Sequence, residues 1–207
     1  MERHSPAMNP ELALRAAGFT LIAGVDEAGR GAYAGPIVIA AVILDPAQSL
    51  DEVGDSKSFS EEERTRIARQ IKERALSYAI ISIDATEIDM HGLQPSNIGG
   101  MRRAISALSV KPDYVISDGY QVEGLEIPSL AMWRGDQVSP SVGAASILAK
   151  NSRDDAMIEF DKKFPGYGFA EHKGYGTAAH QRALEINGIT SIHRKSFAPI
   201  AKLINAR

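Results

Sequence analysis

Residues 19–44 read FTLIAGVDEAGRGAYAGPIVIAAVIL, two apolar runs joined by a glycine-rich turn. The first, Phe19 to Val25, has the apolar and small residues of a buried strand and runs into the adjacent carboxylates Asp26 and Glu27. The second, Ile37 to Leu44, is rich in β-branched residues and stops at Asp45-Pro46. The connection GRGAYAGP is short enough for antiparallel neighbours, so the chain opens on a hairpin-like pair. Gly29 to Ala34 also satisfies G-x-G-x-x-A, the dinucleotide fingerprint. That motif must open a helix, whereas Gly35-Pro36 leads here into the strand-like Ile37-Val38-Ile39.

Outward from this pair, Ser60 and Glu63 have capping-box spacing, and Ile67, Ala68, Ile71 and Ala75 follow with helical period. A strand over Ser77–Ile83 and a weak helix over about 97–108 precede short strands at Tyr114–Asp118 and Ser129–Trp133. Val142, Ala145, Ala149, Ala156 and Phe160 then predict a long helix over about 139–163. Two more helical stretches follow PGYG and HKGYGT, and residues 1–18 read as a loose lead with a short helical piece ended by Gly18. Strands alternating with helices after an antiparallel pair predict an α/β fold, a mixed sheet with helices on both faces.

The 207 residues and 44% hydrophobic content suit one domain of ordinary size. The absence of cysteine excludes disulfides, thiolate zinc sites and a cysteine nucleophile. The N-terminus lacks an apolar signal region, and the longest uncharged stretch, Gly31–Leu44, is too short for a membrane helix, so no membrane role and a cytoplasmic location are expected. The net charge of −3 argues against a protein that coats nucleic acid. It conceals an asymmetry, with −7 over residues 1–147 and +4 over 148–207, which reads as an uneven surface or as an acidic centre beside a basic face.

Asp26-Glu27, Asp118 and Asp136 each stand where a predicted strand ends, and ligands of such sheets gather at strand carboxyl ends. A lone Asp before Gly is a turn former. Four acids converging on one edge need a cation or hydrogen-bond donors to remain charged. Oxygen donors without cysteine favour Mg²⁺ or Mn²⁺ over zinc, and two such ions can direct water at a phosphodiester. Adjacent side chains on a strand point to opposite faces, so Asp26 and Glu27 are expected to share a site only if the chain leaves strand geometry there. A glycosidase pair must flank one bond, which neighbouring acids do poorly.

GVDEAGRG at Gly24–Gly31, DSK at Asp55–Lys57, SDG at Ser117–Gly119, RGD at Arg134–Asp136, AASILAK at Ala144–Lys150 and HKGYGT at His172–Thr177, taken with HRKSFAPI at His193–Ile200, resemble ribonuclease HII. The resemblance implies a ribonuclease H-like mixed five-stranded sheet flanked by helices (19–165), with a small C-terminal helical extension (166–207) completing the substrate face. It implies cleavage of RNA paired with DNA, and cutting 5′ to single ribonucleotides embedded in duplex DNA. A monomer is expected. Asp26, Glu27, Asp118 and Asp136 fall on the family's catalytic and metal-binding acids, for Mg²⁺ or Mn²⁺, with two ions when substrate is bound. Gly29, Arg30 and Gly31 match the segment that recognises the ribose, and Tyr175 matches the tyrosine that packs on the sugar at an RNA–DNA junction. Lys57, Lys150 and Arg153 are candidate phosphate contacts, or solvated surface charges.

Asp154 and Asp155 remain alternatives as ligands, with Asp136 preferred on its motif. His172, His180 and His193 are expected to be structural. One departure stands out: Glu87-Ile88-Asp89 leads into MHGLQPSNIGGM, without the Asn and well-formed helix the family has there. Pro95, Gly99 and Gly100 oppose a helix, so residues 90–101 are expected to be irregular. The rivals are a ribonuclease HIII, a binding protein that has lost catalysis, and a histidine-based ribonuclease leaving cyclic phosphates.

Overall fold

The computed structural model describes residues 9–48 and 59–205; Lys57 and the DSK stretch lie outside them. The elements run α1 (Pro10–Ala16), β1 (Ile22–Ala28), β2 (Ile37–Ile43), α2 (Glu61–Arg74), β3 (Ser77–Ile83), α3 (Ala85–His91), α4 (Leu93–Ser106), β4 (Tyr114–Asp118), β5 (Ser129–Met132), α5 (Gly135–Val138), α6 (Pro140–Lys163), α7 (Phe169–His172), α8 (Ala178–Asn187) and α9 (Ala198–Asn205). The sheet order is β3-β2-β1-β4-β5. β1 pairs antiparallel with β2 and β2 with β3, while β1–β4 and β4–β5 are parallel. This is the expected mixed five-stranded sheet.

Alternation along β1 assigns its two faces. Gly24 faces α6 so closely that a Cβ on it would come within 2.1 Å of the Ser141 carbonyl carbon. The small residues of α6, from Gly143 to Ser146, make the same approach possible from the other side. Ala23 and Val25 face the opposite way, into a core shared with Ile39, Ile83 and the α4 residues Met101, Ala104 and Ile105. The Ser60–Glu63 capping box forms as read, with Ser60 accepting from the Glu63 amide and Glu63 from the Ser60 amide. The buried Glu11 of α1 accepts hydrogen bonds from the Ser139 and Ser141 hydroxyls and the Ser141 amide, closing the start of α6.

The expectation for residues 90–101 needs correction: they complete α3 and form most of a regular α4. Pro95 stands in the first turn, where its missing N–H would have had no helical partner. Gly100 packs against the sheet, and a Cβ there would lie 2.5 Å from the Ile39 Cδ1. Close packing thus outweighs the intrinsic helix penalty of about 1 kcal/mol for glycine. Asn97 lies on the same buried face.

The C-terminal helices have a core of their own, in which Tyr167, Phe169, Ala183, Leu184 and Ile200 close on Met157 of α6 and on Ala34. Among the described residues no helix is long and apolar enough to cross a membrane.

Candidate active site

A fork in the sheet creates the site. The β1–β4 ladder ends at Val25–Ser117, whereas β1 stays paired with β2 as far as Ala28–Val38. The two parallel strands therefore part where Asp26 and Asp118 emerge. Contrary to the expected break in strand geometry, Asp26 and Glu27 remain inside β1. Their side chains take opposite faces: Asp26 accepts the Ser146 hydroxyl from α6, and Glu27 turns toward Asn97 of α4. Both still border one cavity because the fork is open between them. Asp136 sits not at a strand end but in α5, and Asp118 Oδ1 accepts the Gly135 amide at 2.7 Å. All four acids line a cavity of about 280 Å³ together with Gly29–Gly31, Ser146, Lys150 and Tyr175.

Burial raises the Asp26 carboxyl well above the usual range, and the charges of Glu27 and Asp118 push it further, against the hydrogen bonds from Ser146 and the Glu27 amide. Glu27 is pushed up to about 7, first by burial and then by Asp118, with Asn97 and Arg30 opposing. Asn97 favours the charged form of Glu27 without closing a hydrogen bond of normal geometry, so Glu27 Oε2 and both polar atoms of the Asn97 amide remain unsatisfied. Among the described residues no three His, Asp or Glu side chains are already gathered tightly enough to hold an ion. The site is a cavity with oxygen donors on several sides, and a hard divalent cation would relieve the charge crowding that raises Asp26 and Glu27.

Beneath the glycine turn lie two buried arginines. Arg194 donates to the carbonyls of Gly29, Arg30 and Gly35 at 2.7–3.0 Å. Arg153 donates to those of Pro36, Ala34 and Lys173. The expectation of Arg153 as a phosphate contact is therefore corrected: it is 0% exposed, its Nε and Nη2 donate to backbone, and its Nη1 is buried without a hydrogen-bond partner. Gly29, at φ 89°, lies so close to it that a Cβ would overlap the Arg153 side chain. Because trans peptides point C=O and N–H in opposite directions, holding the Gly29 and Arg30 carbonyls inward turns the Arg30 and Gly31 amides the other way. The Tyr175 ring lies over the Arg153 guanidinium, 5.2 Å from it, and its segment is docked on the turn, with the Gly174 carbonyl accepting from the Tyr33 and Ala34 amides.

Lys150 borders the cavity while paired with Asp154, which also meets Arg64. Asp154 is thereby buried in an ion-pair cluster, and Asp155 is exposed and accepts from Asn151. His180 and His193 are buried and joined Nε2 to Nε2 at 3.0 Å, and burial pulls His193 down to about 4. They are packed as a structural pair. Asn97 and Arg194 were not singled out from sequence. The spacing of Asn97 with Met101, Ala104 and Ile105 marks the apolar face of a helix and could have located it, whereas no sequence signal shows that Arg194 reaches back to Gly29.

A family model described as Ribonuclease HII matches residues 23–200. The ribonuclease HII of Salinispora tropica is 49% identical over 193 residues, spanning 92% of this chain and 72% of that protein. Among solved structures, ribonuclease H2 from Pyrococcus horikoshii OT3 aligns with a TM-score of 0.80 at 24% identity, over 90% of this chain and 98% of that one. Bst-RNase HIII in complex with Mn²⁺ aligns at 0.69 and 21% identity, over 100% of this chain and 75% of that one. These structures share the ribonuclease H-like fold. With the family model covering most of the sequence, the chain belongs to the ribonuclease HII family of ribonuclease H enzymes.

Proposed function

We propose that this ribonuclease H cuts the RNA strand of RNA–DNA hybrids and cuts 5′ to single ribonucleotides embedded in duplex DNA, leaving 3′-hydroxyl and 5′-phosphate ends. The observation that carries the reading is the shared cavity in which Asp26, Glu27, Asp118 and Asp136 face the Gly29–Gly31 turn. The four acids would hold Mg²⁺ or Mn²⁺, two ions with substrate bound, and a related fold has been solved with Mn²⁺. When bound, the metal supplies an activated water and offsets charge building on the phosphate.

The chain's own residues supply recognition. The outward amides of Arg30 and Gly31 can meet the 2′-hydroxyl, the one group that separates RNA from DNA at a given nucleotide. Tyr175, 39% exposed at the cavity, offers a ring to the neighbouring sugar. Lys150 is placed for a phosphate, and Lys57 keeps the same proposed role from its motif. Since Tyr175 reaches the cavity from beyond α6, residues 166–207 complete the substrate face of the 19–165 catalytic unit. One chain supplies every proposed group, which favours action as a monomer. The reading places the enzyme in the cytoplasm, in ribonucleotide excision and RNA primer removal.

The deciding experiment is incubation of a DNA duplex containing one ribonucleotide with Mg²⁺, with Mn²⁺ and with excess chelator, followed by end-group analysis. Metal-dependent cutting on the 5′ side with a 5′-phosphate is expected. Cleavage in chelator, or a 2′,3′-cyclic phosphate end, would overturn the mechanism.

A further inference from the structure

Trp133, the chain's one tryptophan, is 83% exposed beside the carboxylates. The turn that carries it is anchored on both sides. The Met132 carbonyl accepts the Gly119 amide at 2.8 Å, and the Gly135 amide donates to Asp118. Between these anchors Trp133 and Arg134 project outward, with Arg134 in the left-handed region at φ 56°, a conformation that disfavours residues other than glycine. Trp133 joins none of the hydrophobic clusters among the described residues. Neither the strained backbone nor the exposed indole is explained by packing, and such outliers gather at functional sites.

The turn borders a cavity of about 580 Å³ together with Arg30, Tyr120 and Gln137. Its wall is partly built by Arg30, whose guanidinium lies 4.4 Å from the Tyr120 ring centroid. Glu27, Arg30, Asp118 and Asp136 line both this cavity and the one that holds Tyr175. A single trough therefore passes over the acids, with Tyr175 in one lobe and Trp133 in the other. An aromatic ring beside guanidinium groups suits a nucleic-acid duplex, because the ring can wedge against a base step at the cost of partial unstacking while the cations meet phosphates.

We propose that the Trp133 lobe is a nucleotide subsite, in which the indole stacks on a base of the cut strand across the scissile phosphate from Tyr175 and Arg134 meets the adjoining phosphate. This rests on the acids being the cutting site. Because there is one tryptophan, its emission reports on this lobe alone. With Asp118→Asn protein in Mg²⁺, emission should be quenched as a labelled duplex containing one ribonucleotide binds, binding being followed separately by anisotropy. In otherwise unaltered protein, Trp133→Ala should raise KM about tenfold with little change in kcat, and Trp133→Phe should recover most of the loss. An abasic nucleotide at the stacked position should reproduce the Trp133→Ala effect and not add to it. Unaltered protein that cleaves normally while Trp133→Ala leaves KM unchanged overturns the subsite, as does binding without a change in emission. Failure of unaltered protein to cleave overturns the functional reading instead.

Discussion

The carboxylate fork and the arginine–histidine layer beneath the glycine turn both bury ionisable groups, yet they resolve the cost differently. Burial drives acids up at the fork, with Glu27 near 7, and bases down in the layer, with Arg194 near 9 and His193 near 4. In the layer the protein supplies most of the partners: Arg194 and Arg153 meet backbone carbonyls and the histidines meet each other, although Arg153 Nη1 is buried without one. At the fork the acids open on a cavity, and part of Glu27 lacks a hydrogen-bond partner. A closed charge cluster holds structure, whereas one open to solvent can take a cation.

The largest effect should come from the fork. Asp118→Asn should lower kcat on the order of 10³-fold while leaving the metal-free protein folded and at least as stable, because one carboxylate repulsion is removed. Activity near that of the unaltered protein, or a fall in metal-free Tm by many degrees, would place Asp118 among structural groups.

Next is Arg194→Ala, which leaves several buried carbonyls without donors and should lower stability by roughly 4 kcal/mol in denaturant unfolding. Arg194→Lys should recover only part of this, since one ammonium cannot match the planar fork that spans the turn. Full recovery by lysine would mean that charge alone matters there.

The pH response should divide the two regions by sign. Glu27 holds its proton to about 7 in the folded protein against an ordinary 4.5, so the native state binds more protons in that window and stability falls as pH rises. His193 stays neutral down to about 4 against an ordinary 6.5, so its contribution is lost as pH falls through that window. Each arm is on the order of 3 kcal/mol. Thermal unfolding of metal-free Glu27→Gln should show a shallower loss between pH 4.5 and 7, and His193→Asn a shallower loss on the acid side. Saturating Mg²⁺ should flatten the Glu27 arm alone. Profiles unmoved by either substitution would remove the contrast.

The smallest effect concerns Tyr175, which touches both regions. Tyr175→Ala should reduce kcat/KM at a single embedded ribonucleotide by about 1–2 kcal/mol more than on a continuous hybrid, with Tyr175→Phe near the unaltered protein and little change in metal requirement. Equal losses on both substrates would remove it as a junction sensor.

Local pattern made much of this molecule legible. The opening antiparallel pair, the Ser60 cap, the strands at 77–83 and 114–118 and the long α6 follow from apolar period and punctuation, which report on the backbone near each residue. Asp26, Glu27 and Asp118 could be gathered on one sheet edge because strand ends are readable, whereas Asp136 reaches the cavity from α5. How they meet was decided by tertiary structure. The parting of β1 from β4 lets Asp26 and Glu27 share a cavity from opposite faces, something alternation alone forbids. Packing against Ile39 made a helix residue of Gly100, against its propensity. Arg153, read as a surface cation, is buried beneath Gly29 because helix and turn converge from positions over a hundred residues apart. Charge and propensity belong to the residue, but burial and partner belong to the folded chain.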